Sequence, residues 1–235
     1  MSDCHFSWAG EELVAVPERA LYWPRERTLF LADLHFGKDA TFRQALRWIP
    51  PGTTNDDLRR LDAVMARHDV QRLVILGDAF HSEHAGEKAT IDVVRAWRSG
   101  LSIEIAMVSG NHDRKALHLA IELRINVLSE GGRLGPWMLR HHPVAKSRVP
   151  VLCGHVHPVV TMLGPARESL RLPAFWVQPH QCVLPAFGGF TGGGSIRPGI
   201  DDRVLITAGD RVVNAELSRL RGAADRTKGW LRHGS

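Results

Sequence analysis

The segment VLCGHVHPVV, residues 151–160, interrupts an apolar run with a glycine and two histidines at alternate positions. The apolar residues on either side are typical of buried β-strands. In extended backbone, residues i and i+2 point to the same side, so His155 and His157 can reach one site together. Asp33 and His35 repeat this spacing after the apolar run TLFLA, residues 28–32. Both segments therefore predict polar groups presented from the ends of strands.

Three further apolar runs are followed by polar side chains in the same way. The runs and the residues after them are RLVIL (72–76) with Gly77 and Asp78, IEIAMV (103–108) with Asn111, His112 and Asp113, and WML (137–139) with His141 and His142. Helical patterns at 52–69 and 88–100 separate the first three strands, which predicts an α/β layered sheet. Ligands bind beyond the carboxyl ends of the strands in such sheets, so one shared crevice is expected.

The polar groups expected in this crevice have the chemistry of metal ligands. Buried carboxylates and imidazoles are costly unless a cation compensates their charge and lone pairs. Oxygen and nitrogen donors without thiolate suit manganese, iron or zinc. Seven side chains are too many for one ion that also keeps a water, so two ions that share a carboxylate are predicted. Asp78 stands alone behind a glycine on a central strand and is the predicted bridge.

The composition is that of an ordinary globular protein. With 235 residues, 44% of them hydrophobic, the chain can bury a full core, and 23% charged residues argue against global disorder. No apolar run approaches the roughly 20 residues that span a bilayer. The acidic N-terminal segment is unlike a signal peptide, so a cytoplasmic protein without membrane association is expected. The three cysteines form no CxxC pair, which argues against a disulfide framework and a thiolate zinc site.

One domain over residues 1–235 is predicted, because no repeat or linker divides the chain. Its motif core spans about 28–160, a β-rich part that we expect to form a second sheet spans about 170–218, and a basic tail spans about 219–235. The net charge of +5 favours polyanionic partners, but only weakly, because a solvated tail explains part of it.

The complete set of motifs resembles the calcineurin-like metallophosphoesterase superfamily. The motifs are DxH (33–35), GDxxH (77–81), GNHD (110–113), HH (141–142) and GHxH (154–157). Two flanking segments, ALYWPRERTLFLADLHFGKDATFR (20–43) and VLPAFGGFTGG (183–193), resemble the ligase-associated DNA damage response endonucleases. The resemblance implies a layered α-β-β-α sandwich and two divalent metal ions, with Mn²⁺ preferred and iron or zinc as alternatives.

The superfamily resemblance also implies a role for each motif residue. One metal would be held by Asp33, His35, Asp78 and His157, and the other by Asp78, Asn111, His141 and His155. The resemblance leaves His112 free to face the scissile phosphate, as a general acid or as a stabiliser of developing charge, and Asp113 could orient it. Water activated by the two metals would attack phosphorus in line with the leaving oxygen.

Several other residues have two interpretations in the sequence. Lys38, Arg43 and Arg114 could contact phosphates that flank the scissile one, or they could be surface charges. Trp23, Trp48 and Trp137 could stack on bases, although core packing is the commoner role of such residues. His142 could support the site or precede a turn, and His81 and His84 could extend towards substrate or lie in a loop. The glycine-rich run at 188–194 lacks the lysine of a phosphate-binding loop, so an ordinary loop is preferred.

The resemblance implies a phosphodiesterase that acts on DNA as an endonuclease, on single-stranded or unpaired regions, in repair. Functional association with a DNA ligase, a helicase and an exonuclease is implied in the same way. Two alternatives stay open: a hydrolase of a nucleotide or a dinucleoside polyphosphate, and a metal-binding scaffold without turnover. The sequence leaves the oligomeric state undetermined.

Overall fold

A computed structural model describes residues 1–38, 53–81, 88–163, 169–189 and 191–215 of the chain. Arg43, Trp48, His84 and the tail at 219–235 lie outside the described residues. The prediction of one domain over residues 1–235 therefore stays a prediction.

The first β-sheet contains seven strands that follow one another in chain order. The strands are β1 Cys4–Trp8, β2 Glu11–Val16, β3 Ala20–Trp23, β4 Thr28–Leu31, β5 Arg72–Leu76, β6 Glu104–Val108 and β7 Asn126–Leu128. Pairing is antiparallel from β1 to β4 and parallel from β4 to β7. The parallel strands β4, β5 and β6 are apolar on both faces, as expected of strands that are covered on both sides. Their carboxyl ends lie at one edge, where the predicted site residues follow.

The second β-sheet is mixed and is formed by the later part of the chain. Its strands are β8 Arg133–Leu134, β9 Trp137–Leu139, β10 Val151–Cys153, β11 Pro158–Leu163, β12 Ser169–Val177, β13 Gln181–Val183, β14 Gly194–Ser195, β15 Arg203–Ala208 and β16 Arg211–Asn214. The central strand β10 pairs in parallel with β9 and β13. The other pairings are antiparallel except that of β11 with β14. The predicted second sheet is present, and it begins before residue 170.

Three α-helices among the described residues cover the outer face of the first sheet. They are α1 Thr53–Arg67, α2 Lys88–Ser99 and α3 Leu117–Glu122. The buried positions Leu58, Leu61 and Val64 recur at helical spacing on one face of α1 and pack into the core that the helices share with the sheet. The second sheet carries no α-helix on its outer face within the described residues. The α/β class of the prediction is confirmed, with layers of helix, sheet and sheet in this part of the chain.

The core between the two sheets contains Trp8, Trp23 and Trp137. Trp23 and Trp137 are 2% and 0% exposed, and their ring centroids lie 4.5 Å apart in an edge-to-face arrangement. The Trp8 ring is nearly parallel to that of Trp137, and their centroids lie 6.2 Å apart. Aromatic rings packed in this way stabilise the core beyond their buried area. Trp23 and Trp137 therefore pack between the sheets and are inaccessible to a nucleic-acid base.

None of the α-helices in the described residues is both long and apolar enough to cross a membrane. Cys4, Cys153 and Cys182 are free thiols, as the absence of CxxC pairs predicted.

Candidate metal centre

The predicted site residues meet where the carboxyl edges of the two sheets face each other. Backbone hydrogen bonds continue the pairing of β4 and β5 beyond the strand ends, because the amide of Asp33 donates to Gly77 O at 3.2 Å and the amide of His35 donates to Asp78 O at 2.9 Å. The amide of His155 donates to Asp33 Oδ2 at 2.9 Å and thereby links the second sheet to the first. The ends of strands from both sheets therefore form one site.

A first donor group consists of Asp33, His35 and His157, whose ligand atoms all lie within 4.8 Å of one another. His157 Nε2 is 3.3 Å from Asp33 Oδ1. Asp33 Oδ1 and His35 Nε2 are buried without a hydrogen-bond partner among the described residues. Burial is the main cause that lowers the pKa of His35 to about 2, so its imidazole is neutral and has a lone pair for a metal.

A second donor group surrounds the Nε2 atom of His141. This atom is 3.4 Å from Asp78 Oδ2, 3.1 Å from Asn111 Oδ1 and 3.1 Å from His155 Nδ1. On the other side of the ring, His141 Nδ1 lies 3.2 Å from Leu76 O. A proton on Nδ1 that is donated to this carbonyl directs the Nε2 lone pair to the other donors, as is usual for metal-bound histidines.

The two donor groups are contiguous. Asp33, Asp78 and His141 form a third set within 4.8 Å, and all three residues are buried. The structure thus brings together the seven side chains that the sequence predicted as ligands: Asp33, His35, Asp78, Asn111, His141, His155 and His157. We call these seven residues the donor cluster. Nitrogen and oxygen donors with unpartnered buried atoms fit divalent cations, and thiolate is absent from the cluster.

The backbone of the donor cluster is unusual. Five of its members have left-handed φ angles, between 48° and 70°: Asp33, His35, Asp78, His155 and His157. Such angles are uncommon outside glycine and concentrate where function requires a particular side-chain direction. Two glycines leave room for side chains of the cluster. A Cβ atom on Gly77 would lie 2.0 Å from His141 Nδ1, and one on Gly110 would lie 2.2 Å from Asp78 Oδ1.

Comparison with known proteins agrees with this geometry. The sequence model of the calcineurin-like phosphoesterase family matches residues 26–157. The chain belongs to the calcineurin-like phosphoesterase family. It is therefore a metal-dependent hydrolase of phosphoesters. Among curated proteins no relative matches the chain. Among solved structures, the crystal structure of Pseudomonas putida nuclease MPE is 36% identical, with a TM-score of 0.80, and the match covers 91% of this chain and 100% of that one.

In this calcineurin-like phosphoesterase, Asp113 contacts backbone amides. The completely buried carboxylate accepts hydrogen bonds from the amides of Phe80 and Gly110, at 2.9 and 2.8 Å. Burial is the main cause that raises its pKa to about 6. Within the described residues, its hydrogen bonds do not include the His112 ring. Asp113 instead joins the loop after β5 to the loop after β6.

His112 lies at the open side of the donor cluster. Its amide donates to Asp78 Oδ1 at 3.0 Å, its Nδ1 lies 2.9 Å from His81 O, and its Nε2 lies 4.0 Å from Asp78 Oδ2. The side chain is 42% exposed. The ring of this histidine is therefore oriented by the loop after β5 and is accessible to a substrate.

Two further histidines, whose roles the sequence left open, lie beside the cluster. The His81 ring stacks on that of His112 at 5.2 Å, and His81 Nδ1 is 3.5 Å from His35 Nδ1. His142 lies on the other side, with its ring 4.2 Å from that of His155 and its Nδ1 3.9 Å from Glu130 Oε1. The GDxxH spacing was a signal for His81, but the sequence contains no signal for Glu130.

The predicted phosphate contacts are only partly described. Lys38 is half-buried and lines a small cleft together with His35, Thr54 and Asp57. Burial is the main cause that lowers the pKa of Lys38. Arg114 is exposed and lies two residues after His112. These positions place one cation beside the first donor group and another near the mouth of the site.

Proposed function

We propose that this phosphoesterase is a phosphodiesterase that cleaves DNA as an endonuclease, with single-stranded or unpaired DNA as its substrate. The observation that carries the proposal is the pair of contiguous donor groups with the accessible imidazole of His112 beside them. Similarity to a nuclease over 91% of the chain supports a nucleic acid as substrate.

The donor cluster would hold two divalent cations. Asp33, His35, Asp78 and His157 are the proposed ligands of one, and Asp78, Asn111, His141 and His155 are the proposed ligands of the other. We propose Mn²⁺ as the metal, with iron and zinc as the alternatives to be tested. Bound there, two cations would supply Lewis acidity that offsets charge on the phosphoryl oxygens and lowers the pKa of water.

The other residues of the site would orient the substrate and transfer protons. His112 is the proposed general acid, since its exposed ring can protonate the oxygen of the leaving strand. His81 supports the orientation of that ring by stacking on it and by presenting its carbonyl oxygen to His112 Nδ1. Asp113 is a proposed positioning residue, because it holds together the two loops that carry Asp78 and Asn111.

A polymeric substrate is consistent with the shape of the site. Asn111, His112 and His155 are exposed, so among the described residues the cluster opens to the surface. The net charge of +5, part of which lies in the basic tail, adds only weak support for an anionic polymer. Lys38 and Arg114 are proposed contacts of flanking phosphates, as is Arg43, which lies outside the described residues. A role in DNA repair alongside a ligase, a helicase and an exonuclease is also proposed, on the sequence resemblance alone.

One panel of substrates tests the proposed function. The purified chain is incubated with circular single-stranded DNA, linear duplex DNA and a chromogenic nitrophenyl diester, each with Mn²⁺ and each with a chelator. We expect metal-dependent cleavage of the circle, which has no ends, and weaker cleavage of the duplex. Cleavage of the diester alone would overturn the DNA proposal and favour a small phosphoester as substrate. The absence of all three reactions in the presence of Mn²⁺ would favour a scaffold.

A further inference from the structure

We infer that Asp57 and Arg60 of α1 are positioning residues for Asp33 and act through the segment Phe187–Gly189. The inference rests on the proposed function, because Asp33 is a proposed metal ligand there. It also assigns a role to the sequence VLPAFGG, residues 183–189, which carries no catalytic group of its own.

The segment Phe187–Gly189 lies directly on the backbone that carries Asp33. The amide of Phe187 donates to Ala32 O at 2.8 Å, and the amide of Gly188 donates to Asp33 O at 3.2 Å. The approach is close, because a Cβ atom on Gly188 would lie 2.6 Å from Leu34 O. Any displacement of this segment would therefore be transmitted to the backbone on both sides of Asp33.

Asp57 and Arg60 hold this segment from the helix side. Asp57 Oδ1 accepts a hydrogen bond from the amide of Gly189 at 3.1 Å and another from Arg60 Nη2 at 2.9 Å. Arg60 Nη2 also donates to the carbonyl oxygen of Phe187. The guanidinium lies over the Phe187 ring, 4.4 Å from its centroid. The two side chains thus hold the segment at both ends, through two backbone groups and one aromatic ring.

Burial distinguishes this ion pair from a surface pair. The side chains of Asp57 and Arg60 are 10% and 27% exposed, whereas those of Asp56 and Arg59, one position earlier in the same helix, are 68% and 76% exposed. Burial raises the pKa of Asp57 to about 6 and lowers the pKa of Arg60. The desolvation of buried charges offsets much of their attraction, so such a pair adds little net stability. The main effect of the Asp57–Arg60 pair is to fix the position of the segment Phe187–Gly189, which it contacts.

The contacts of Asp33 show why the position of the segment Phe187–Gly189 matters. Its Oδ2 accepts the amide hydrogen of His155 from the second sheet, its Oδ1 is 3.3 Å from His157 Nε2, and its φ angle is 54°. An uncommon backbone conformation persists only where surrounding contacts maintain it. Phe187–Gly189 provides two of those contacts, so the Asp57–Arg60 pair supports the distance between Asp33 and the imidazoles of the second sheet.

Metal affinity is the direct test. Mn²⁺ binding to the full chain is measured by titration calorimetry for Asp57→Asn, Asp57→Ala and Arg60→Ala. We expect about tenfold weaker binding, the lower end of the usual effect of removing a partner that supports a ligand. Asp56→Asn and Arg59→Ala are the matched controls, since they remove an exposed pair with the same spacing on the same helix, and their affinity should equal that of the wild type.

Two more measurements separate positioning from folding and from function. Excess Mn²⁺ should restore hydrolysis of the nitrophenyl diester in the Asp57 and Arg60 variants, and Arg60→Lys should retain part of the lost affinity because it keeps the charge. Lower thermal stability with unchanged metal affinity would overturn the inference, as would equal losses in the Asp56 and Asp57 variants. A wild-type chain that binds Mn²⁺ but cleaves neither DNA nor the nitrophenyl diester would refute the proposed function alone, because the affinity comparison does not require turnover.

Discussion

The buried side of the metal centre and its open mouth use the same residue type under opposite conditions. His35 is 6% exposed and lies among buried donors, whereas the His112 side chain is 42% exposed. Burial lowers the pKa of His35 to about 2 and keeps its imidazole unprotonated, which suits a metal ligand, whereas the exposed His112 ring is accessible from the surface. The difference shows that the surroundings of a histidine in this site, and not the motif alone, determine how exposed its ring is.

Removal of the shared carboxylate should have the largest effect. Asp78→Ala removes the group that lies beside both donor groups, so hydrolysis of DNA and of the nitrophenyl diester should both be abolished. Initial rates at saturating Mn²⁺ measure the loss. Asp210→Ala, which removes an exposed carboxylate far along the chain, should leave both rates unchanged. Substantial residual hydrolysis by Asp78→Ala would contradict its proposed position between the metals.

Removal of the exposed imidazole should have an effect that depends on the substrate. His112→Ala should slow DNA cleavage by about 10²- to 10⁴-fold, the usual contribution of a general acid. Nitrophenolate leaves without a proton, so hydrolysis of the nitrophenyl diester should fall much less. Parallel kinetics on the two substrates provide the comparison. Equal losses would mean that His112 does not act as the acid, and the functional distinction between mouth and buried side would disappear.

A substitution that adds a side chain on the buried side of the metal centre should act through Asp78. Gly110→Ala introduces a Cβ atom 2.2 Å from Asp78 Oδ1 and 2.5 Å from the Asp78 amide nitrogen, so the side chain and the backbone of Asp78 must move. A displacement of about 1 Å commonly costs about 100-fold in rate, and both substrates should be affected alike. Gly100→Ala is the control, because its Cβ atom would be 3.4 Å from Trp97 O, the nearest atom. A loss confined to DNA would place the effect of Gly110 at the mouth instead.

The smallest effect is expected from the cation beside the first donor group. Lys38→Ala should weaken DNA binding and spare hydrolysis of the nitrophenyl diester, because Lys38 is a proposed contact of a flanking phosphate. The slope of log affinity against log salt for single-stranded DNA should fall by about 0.7, as for one lost phosphate contact. Lys88→Ala, an exposed lysine at the start of α2, is the control. An unchanged salt slope would show that Lys38 serves the donor cluster and does not contact DNA.

Local patterns in the chain were sufficient to predict the α/β class and the residues that lie together in the donor cluster. Apolar runs of strand length and helical periodicity arise from neighbouring residues, so they can be recognised without knowledge of the fold. The alternate spacing of Asp33 with His35 and of His155 with His157 has the same local origin. The structure confirms the α/β class, and it brings the seven predicted side chains together where the edges of the two sheets face each other.

Only the tertiary structure decided which distant groups meet and what surrounds them. Asp113 contacts the amides of Phe80 and Gly110 and not the His112 ring, His81 stacks on His112, and the Asp57–Arg60 pair reaches Phe187–Gly189 across about half of the chain. The helical pattern of α1 contains adjacent Asp–Arg pairs that look alike in the sequence, and only packing against the second sheet's loop buries one of them. The physical reason is that burial and hydrogen-bond partners depend on contacts between residues far apart in sequence, for which local periodicity carries no signal.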